Sequence, residues 1–253
     1  MGNKYVIYTA LFGDYDCLND VVEADERCDF ICFTDDRFLK SKTWKVVYIK
    51  PYLSSSMMNR VIKILPHNYL ARYMASIYVD ANILIKKTPI FLFENNLSTH
   101  GFWAYRHTVR DCIYSEGFAC VKSRKTKCNP VISQLGTYLR EGFPGNYGLT
   151  ANRVLIRNHN DEMVISLMDK WWIEMNKQTQ RDQLSLFYVA WKNNYKIALV
   201  ESNSPFDNDY FKLKSHKGEK NSIQYILIRK LRSFLISLSC YPVFYMKIFR
   251  RIK

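Results

Sequence analysis

The chain has 253 residues, 48% of them hydrophobic, which is enough to bury a substantial core and excludes a disordered polypeptide. Its formal net charge of +14 first raises nucleic acid or an anionic surface as a partner, so the distribution of that charge decides its meaning. Residues 1–210 carry 26 Lys/Arg against 22 Asp/Glu, whereas residues 211–253 carry 11 Lys/Arg against the single acid Glu219. The basicity belongs to the tail, and the aromatic residues lie mainly in apolar strand and helix patterns. A nucleic-acid-binding role is therefore the weaker reading, and no nucleic acid is expected as partner.

Seven cysteines with no C-x-x-C pair fit neither a secreted disulfide framework nor a ribbon-type zinc site, so reduced thiols are expected. Met1 leads directly into the apolar alternation of Lys4 to Leu11, without the basic region and apolar run of an export leader. A cytoplasmic location follows as an expectation.

In chain order, β-branched and aromatic runs predict strands over Tyr5–Leu11, Phe30–Thr34, Lys45–Ile49, Ser76–Val79, Phe102–Tyr105, Arg153–Arg157 and Tyr195–Val200. Helical spacing of apolar residues predicts helices over Ser55–Leu65, Asn129–Arg140, Asp161–Met175 and Asp182–Trp191. Strands alternating with helices imply an α/β sandwich, organised here as one domain over residues 1–220 followed by a basic, apolar tail over 221–253.

Ligands of open α/β sheets bind beyond the carboxyl ends of the strands, so polar residues just after a strand are the first candidates for chemistry. Ile77 to Asn82 is an apolar strand ending in Asp80-Ala81-Asn82, two oxygen-bearing side chains one residue apart that suit a hard cation such as Mg²⁺ or Mn²⁺. The same spacing also describes a strand-end turn. Asp182 opens an apolar helix with Gln183 behind it, either as a helix N-terminal acid or as a carboxylate that takes a proton or faces an anomeric carbon. Arg60 and Lys63 share a helix face at i, i+3 spacing, as solvated charges or as a diphosphate pair. His107, Arg110, Asp111 and Glu116 follow a strand as a pocket rim or as a salt-bridged helix start. His216, Gly218 and Lys220 lie in a basic loop after the core sheet, where imidazole joins divalent sites and Lys holds phosphate.

Taken in order, Tyr8 to Tyr15, Arg60-x-x-Lys63 with Pro66-His67, Tyr78 to Asn82, His107-x-x-Arg110-Asp111, Trp171-Trp172 and Arg181-Asp182-Gln183-x-Ser185 resemble one glycosyltransferase-like family. That family was first catalogued as a domain of unknown function and occurs in bacterial polysaccharide clusters and plant Golgi proteins. The resemblance spans about residues 4–200 and implies a GT-A-like (Rossmann-like) mixed central sheet flanked by helices, with Asp80-Ala81-Asn82 standing where such enzymes carry a D-x-D motif. It further implies metal contacts from Asp80 and Asn82, a donor site including Thr9, Gly13, Tyr15, Asp35, Arg60, Lys63, Asn82, His107 and Arg110, and Asp182 and Gln183 at the reacting sugar. His216-x-Gly218-x-Lys220 resembles the late H-x-x-G-x-x-K motif of glycogenin-like transferases, shortened at both steps, which would assign His216 to metal and Lys220 to phosphate. The implied donor is a nucleotide-sugar, with UDP-hexoses favoured. The implied acceptor is a glycan or lipid-linked oligosaccharide, and inversion and retention both remain open. A non-catalytic relative that binds glycan or a partner enzyme is the alternative.

From Ile223 to Lys253 apolar residues alternate with Arg229, Lys230, Arg232, Lys247, Arg250, Arg251 and Lys253, and the least polar stretch, Phe234 to Met246, is only 13 residues and contains Pro242. That is too short for a spanning helix and fits a basic amphipathic helix on an anionic membrane surface, with packing on the core as the alternative. Peripheral association with the inner face of the cell membrane is the resulting expectation.

Overall fold

A computed structural model describes residues 4–95, 97, 99–218 and 223–252. The described chain forms two compact units, one of residues 1–108, 151–172 and 197–218 and one of residues 109–150, 173–196 and 219–253.

The first unit is built on β1 (Tyr5–Leu11), β2 (Cys28–Thr34), β3 (Lys45–Tyr48), β4 (Ala75–Val79), β5 (Ile83–Ile85), β6 (Phe102–Arg106), β7 (Thr150–Arg157), β8 (Ala198–Val200) and β9 (Phe211–Leu213). Seven of these form one sheet of order β3-β2-β1-β4-β7-β6-β8, while β5 and β9 pair separately. Strand β1 runs parallel to both β2 and β4, with Leu11 opposite Thr34 and Tyr8 opposite Tyr78, and β7 runs antiparallel to β4. Strand β1 from Val6 onward and all of β4 are buried, the near-continuous apolar character expected of a sheet covered on both faces. Ile7, Cys32, Ile77, Val154, Ile156 and Phe211 share its core. Because β1, β2 and β4 are mutually parallel through β1, the residues following them emerge at one sheet edge.

Helix α1 (Ser55–Ile64) buries Met57, Met58, Val61 and Ile62, the spacing that marked it as amphipathic. The short turns α2 (His67–Leu70) and α3 (Phe91–Glu94) follow. At the carboxyl end of α1, Arg157 of β7 is fully enclosed, and its guanidinium donates to the carbonyl of Lys63 at 2.8 Å and to the Tyr8 hydroxyl. A cation at a helix carboxyl end meets carbonyls with no intrahelical partner, which fixes the α1 terminus against β1 and β7. Burial holds the Arg157 pKa below its ordinary value and pushes Tyr8 up to about 12.

His159, also completely buried, lies 2.9 Å from the carbonyl of Leu70 through Nε2. Burial disfavours the imidazolium and lowers its pKa from 6.5 to about 4. The folded protein therefore binds fewer protons than the unfolded chain between those values, so the stability is complete above pH 6.5 and declines as pH falls toward 4. The contribution of this residue is about 3 kcal/mol. Urea unfolding of His159→Gln across that window is expected to show a flatter dependence on pH than the parent; an unchanged slope would remove His159 as the cause.

The second unit is helical and contains α4 (Ile113–Lys122), α5 (Cys128–Arg140), the end of α6 (Glu162–Lys177), α7 (Asp182–Lys192) and α8 (Ile223–Lys247), the last followed by a 3-10 turn over Phe249–Arg251. Helix α4 packs on α5, α7 and α8. Gly117 makes the α4–α5 approach possible, because a Cβ there would lie 2.5 Å from Leu135 Cδ1 and 2.9 Å from Val131 Cγ1. Tyr138 stacks on Tyr188 at 3.6 Å between ring centres, joining α5 to α7. Helix α8 turns Phe244 inward, where it meets Phe118 of α4. Among the described residues no helix is long and apolar enough to cross a membrane.

Candidate functional site

The chemistry of the first unit gathers at the carboxyl ends of β1, β2 and β4. Gly13 turns the chain out of β1 with φ +72°, and a Cβ there would stand 2.9 Å from Ser55 Cβ, so both the conformation and the space call for glycine. The loop it opens is fixed from two sides. Asn59 of α1 accepts from the Phe12 N–H at 2.9 Å and donates to the Phe12 carbonyl at 3.1 Å, and the Asp35 carboxylate accepts from the Gly13 N–H at 3.1 Å. Asp35 thus braces the loop from the end of β2. Tyr15 stands 62% exposed at the loop tip, available for stacking, whereas Thr9 is enclosed within β1.

After β4, Asp80 faces Lys63 of α1 with 3.4 Å between Oδ1 and Nζ. The Lys63 ammonium also lies over the Tyr78 ring at 5.0 Å. Arg60, one turn earlier, instead bonds its own helix at Ser56, with Nη1 2.6 Å from the hydroxyl. The structure brings Lys63, rather than an Arg60–Lys63 pair, to the strand end.

Asn82 is buried and donates through Nδ2 to the Lys214 carbonyl at 3.1 Å, while the Lys214 N–H returns a bond to the Asn82 carbonyl at 2.9 Å. This reciprocal contact extends the β5–β9 ladder, in which Ile83 opposes Leu213. It delivers the segment that follows β9 to the sheet edge. His216 Nδ1 lies 2.7 Å from Asp16 Oδ1, its ring is 4.6 Å from that of Tyr15, and Lys217 pairs with Asp14. Burial pushes the Asp16 carboxyl above its ordinary range, and the Asp80 charge pushes the same way against the opposing bond and charge of His216. Asp16 with His216 therefore stands near enough to the Asp80–Lys63 pair for the Asp80 charge to reach it.

Among the described residues no three His, Cys, Asp or Glu side chains form a ready-made metal cluster. The donor types nonetheless fit a divalent cation whose remaining ligands come from substrate. Asp80 and Asn82 offer hard oxygens, and the Asp16 carboxylate lies 2.7 Å from His216 Nδ1, the carboxylate–imidazole pattern common behind metal ligands. Local spacing assigns no role to Asp16 or Lys217, because their partners lie 200 and 203 residues away.

His107 falls in the first unit and Arg110 in the second, where Arg110 Nε binds the buried Glu116 carboxylate at 2.5 Å. That is the salt-bridged helix start weighed for this segment. Lys220 lies outside the described residues. In the second unit Asp182 is the first residue of α7 and is 8% exposed, and Gln183 donates through Nε2 to the Thr150 carbonyl at 2.9 Å. Arg181 precedes it in extended conformation, so the carboxylate sits in the first turn of α7.

A seven-stranded mixed sheet flanked by helices, with polar side chains collected at the carboxyl ends of its parallel strands, is a GT-A-like α/β fold. The sequence matches the TOD1/MUCI70, glycosyltransferase-like domain over residues 2–213, and the chain belongs to that family. No curated protein matches the sequence significantly. Among solved structures, the bifunctional glycosyltransferase WbbM in its apo form superposes with a TM-score of 0.46 at 9% identity, covering 78% of this chain and 38% of that one. The galactosyltransferase LgtC, in complex with donor and acceptor sugar analogues, gives 0.45 at 12% identity over 80% of this chain and 74% of that one. Apo mouse xyloside xylosyltransferase 1 gives 0.44 at 9% identity over 78% and 84%. This chain thus spans well under half the length of WbbM.

Proposed function

We propose that this chain transfers a hexose from a nucleotide-sugar, with UDP-hexose as the favoured donor, to a glycan or lipid-linked acceptor in the assembly of bacterial surface polysaccharide. The observation that carries this reading is the collection of Asp80, Lys63, Asn82, Asp16 and His216 at one sheet edge in a member of a glycosyltransferase-like family.

In the transfer, the bond between the anomeric carbon and the diphosphate oxygen breaks with its electron pair going to the diphosphate, a bond to the acceptor hydroxyl oxygen forms, and the hydroxyl proton passes to Asp182 in an inverting reaction or to the departing diphosphate in a retaining one. Mn²⁺ or Mg²⁺, held by Asp80 and Asn82 with His216, would neutralise charge on the departing diphosphate. Lys63 adds a fixed positive charge beside Asp80, and Tyr15 offers an exposed ring to the nucleotide base. Gly13 and Asp35 shape the loop that carries Tyr15, while Thr9 is a buried residue of β1. Asp16 orients the His216 ring. Arg60, His107, Arg110 and Lys220 remain further candidates for donor contacts by family resemblance. In an inverting reaction Asp182 is the general base that removes the acceptor proton; in a retaining one Asp182 or Gln183 stabilises positive charge at the anomeric carbon.

We assign the catalytic work to residues 1–220 and contact with an anionic membrane surface to residues 221–253, which suits a lipid-linked acceptor at the cytoplasmic face. The basic, apolar α8 supports that assignment. Incubation of the full chain with a panel of UDP-hexoses, Mn²⁺ and polyprenyl-linked or free glycan acceptors tests the reading. Acceptor-dependent UDP release from one donor is expected. Nucleotide-sugar binding with no hydrolysis or transfer across the panel would replace it with a non-catalytic, glycan-binding role.

A further inference from the structure

Helix α8 has two apolar faces. Phe244 is buried toward α4, where Phe118 meets it, and half-buried Ser233, Ser237 and Cys240 lie on the same side of the helix. A second stripe of Leu227, Leu231, Phe234, Leu238 and Tyr245 lies along the helix, each between 49% and 60% exposed, and Tyr241, whose ring edge meets Phe118 at 5.5 Å, joins it to the α4 face. It extends about 27 Å along the helix. A continuous apolar stripe of that length on a surface marks a site of contact.

Beside this stripe a groove of about 460 Å³ is lined by Arg124, Arg232, Leu235 and Ile236. Arg124 comes from just beyond α4, where its φ is +59°, and Arg232 from α8, so two arginines 108 residues apart in sequence line the groove together with two aliphatic residues. Guanidinium forks match phosphate oxygens, and the neighbouring aliphatic groups match hydrocarbon. The ligand chemistry of this combination is a phosphate carrying an acyl or alkyl chain.

We infer that Arg124 and Arg232 form a headgroup clamp for an anionic membrane phospholipid, with the outer stripe of α8 lying in the boundary between headgroups and acyl chains. This rests on the membrane-surface reading above and deepens it by naming the residues, one of them outside the tail, that bind the lipid phosphate. Charge favours a lipid over a second copy of this chain as the occupant. The segment 211–253 carries 11 Lys/Arg against one acid, so two such faces would repel each other while an anionic bilayer attracts them.

The test is co-sedimentation of the full chain with phosphatidylcholine vesicles with and without phosphatidylglycerol, comparing Arg124→Asn/Arg232→Gln with the charge-matched Lys230→Gln/Arg250→Gln, which leaves the groove intact. Asparagine tolerates the positive φ at position 124, and unchanged circular dichroism and melting establish folding. The groove pair is expected to weaken partitioning to phosphatidylglycerol vesicles by about 30-fold, with a loss at least several times smaller for the control pair. Equal losses in the two variants would overturn the clamp and leave general electrostatic attachment of the tail standing. Failure of the parent chain to bind anionic vesicles, or its self-association through α8 instead, would overturn both the clamp and the membrane-surface reading.

Discussion

Replacing Asp80 with alanine is expected to lower turnover by about 1,000-fold, roughly 4 kcal/mol in the barrier, and to abolish the proposed metal-dependent nucleotide binding. The expectation follows from the position of the carboxylate at the end of β4, where it faces Lys63 and influences Asp16. Removing it takes away the proposed hard-oxygen ligand and also deprives the buried Lys63 ammonium of its carboxylate partner. Part of any loss in the alanine variant therefore comes from a displaced Lys63. Asp80→Asn separates the two effects, because it keeps the shape and hydrogen-bonding capacity but not the charge. It is expected to fold with the stability of the parent to within about 1 kcal/mol and to lose most of the same activity. Parent-like activity in folded Asp80→Asn would remove the Asp80 charge from the mechanism.

Asp182→Asn is expected to lower turnover by about 1,000-fold while leaving the Kd for donor nucleotide within about threefold of the parent. The substitution preserves side-chain volume at a position that is 8% exposed, and the first turn of α7 tolerates asparagine with a stability loss below about 1 kcal/mol. Loss of a charge that acts only in the transition state lowers kcat without weakening ground-state binding. The comparison of kcat with Kd therefore distinguishes chemistry from packing. A folded Asp182→Asn protein with parent turnover would eliminate Asp182 as base or charge stabiliser. Failure of that variant to bind nucleotide would make its role one of donor binding instead.

The parts of the fold legible in the sequence are those stated by local pattern. Strands β1 and β4 read as apolar runs ending in polar residues, α1 and α7 read from helical spacing, and each observed boundary lies within a residue or two of expectation. Strand β8 is shorter than the run over Tyr195–Val200 because the chain enters it only at Ala198. For helix α4 the sequence suggests only a salt-bridged start, because Ser115, Glu116 and Gly117 interrupt its apolar spacing; the glycine serves contact with α5 rather than local helix formation. Strands β5 and β9 have three residues each, too few to show alternation, and their pairing joins segments about 130 residues apart.

The same distinction applies to the candidate site. Asp80 and Asn82 were visible because a strand end precedes them. The neighbourhood of Asp16 was invisible because it depends on the β5–β9 pairing that carries His216 back to the β1 loop. Arg60 and Lys63 share a face by spacing, yet side-chain length and the available partners send one to Ser56 and the other to Asp80. Helical periodicity specifies a face, and tertiary partners decide where a long side chain ends.

The most direct test of the account is calorimetric titration of the full chain with UDP, GDP and CMP, each in Mn²⁺ and again in EDTA. The account predicts that UDP binds with Mn²⁺ and that EDTA abolishes the binding. Absence of binding by all three nucleotides under both conditions would contradict it and would remove the nucleotide-sugar site from this protein.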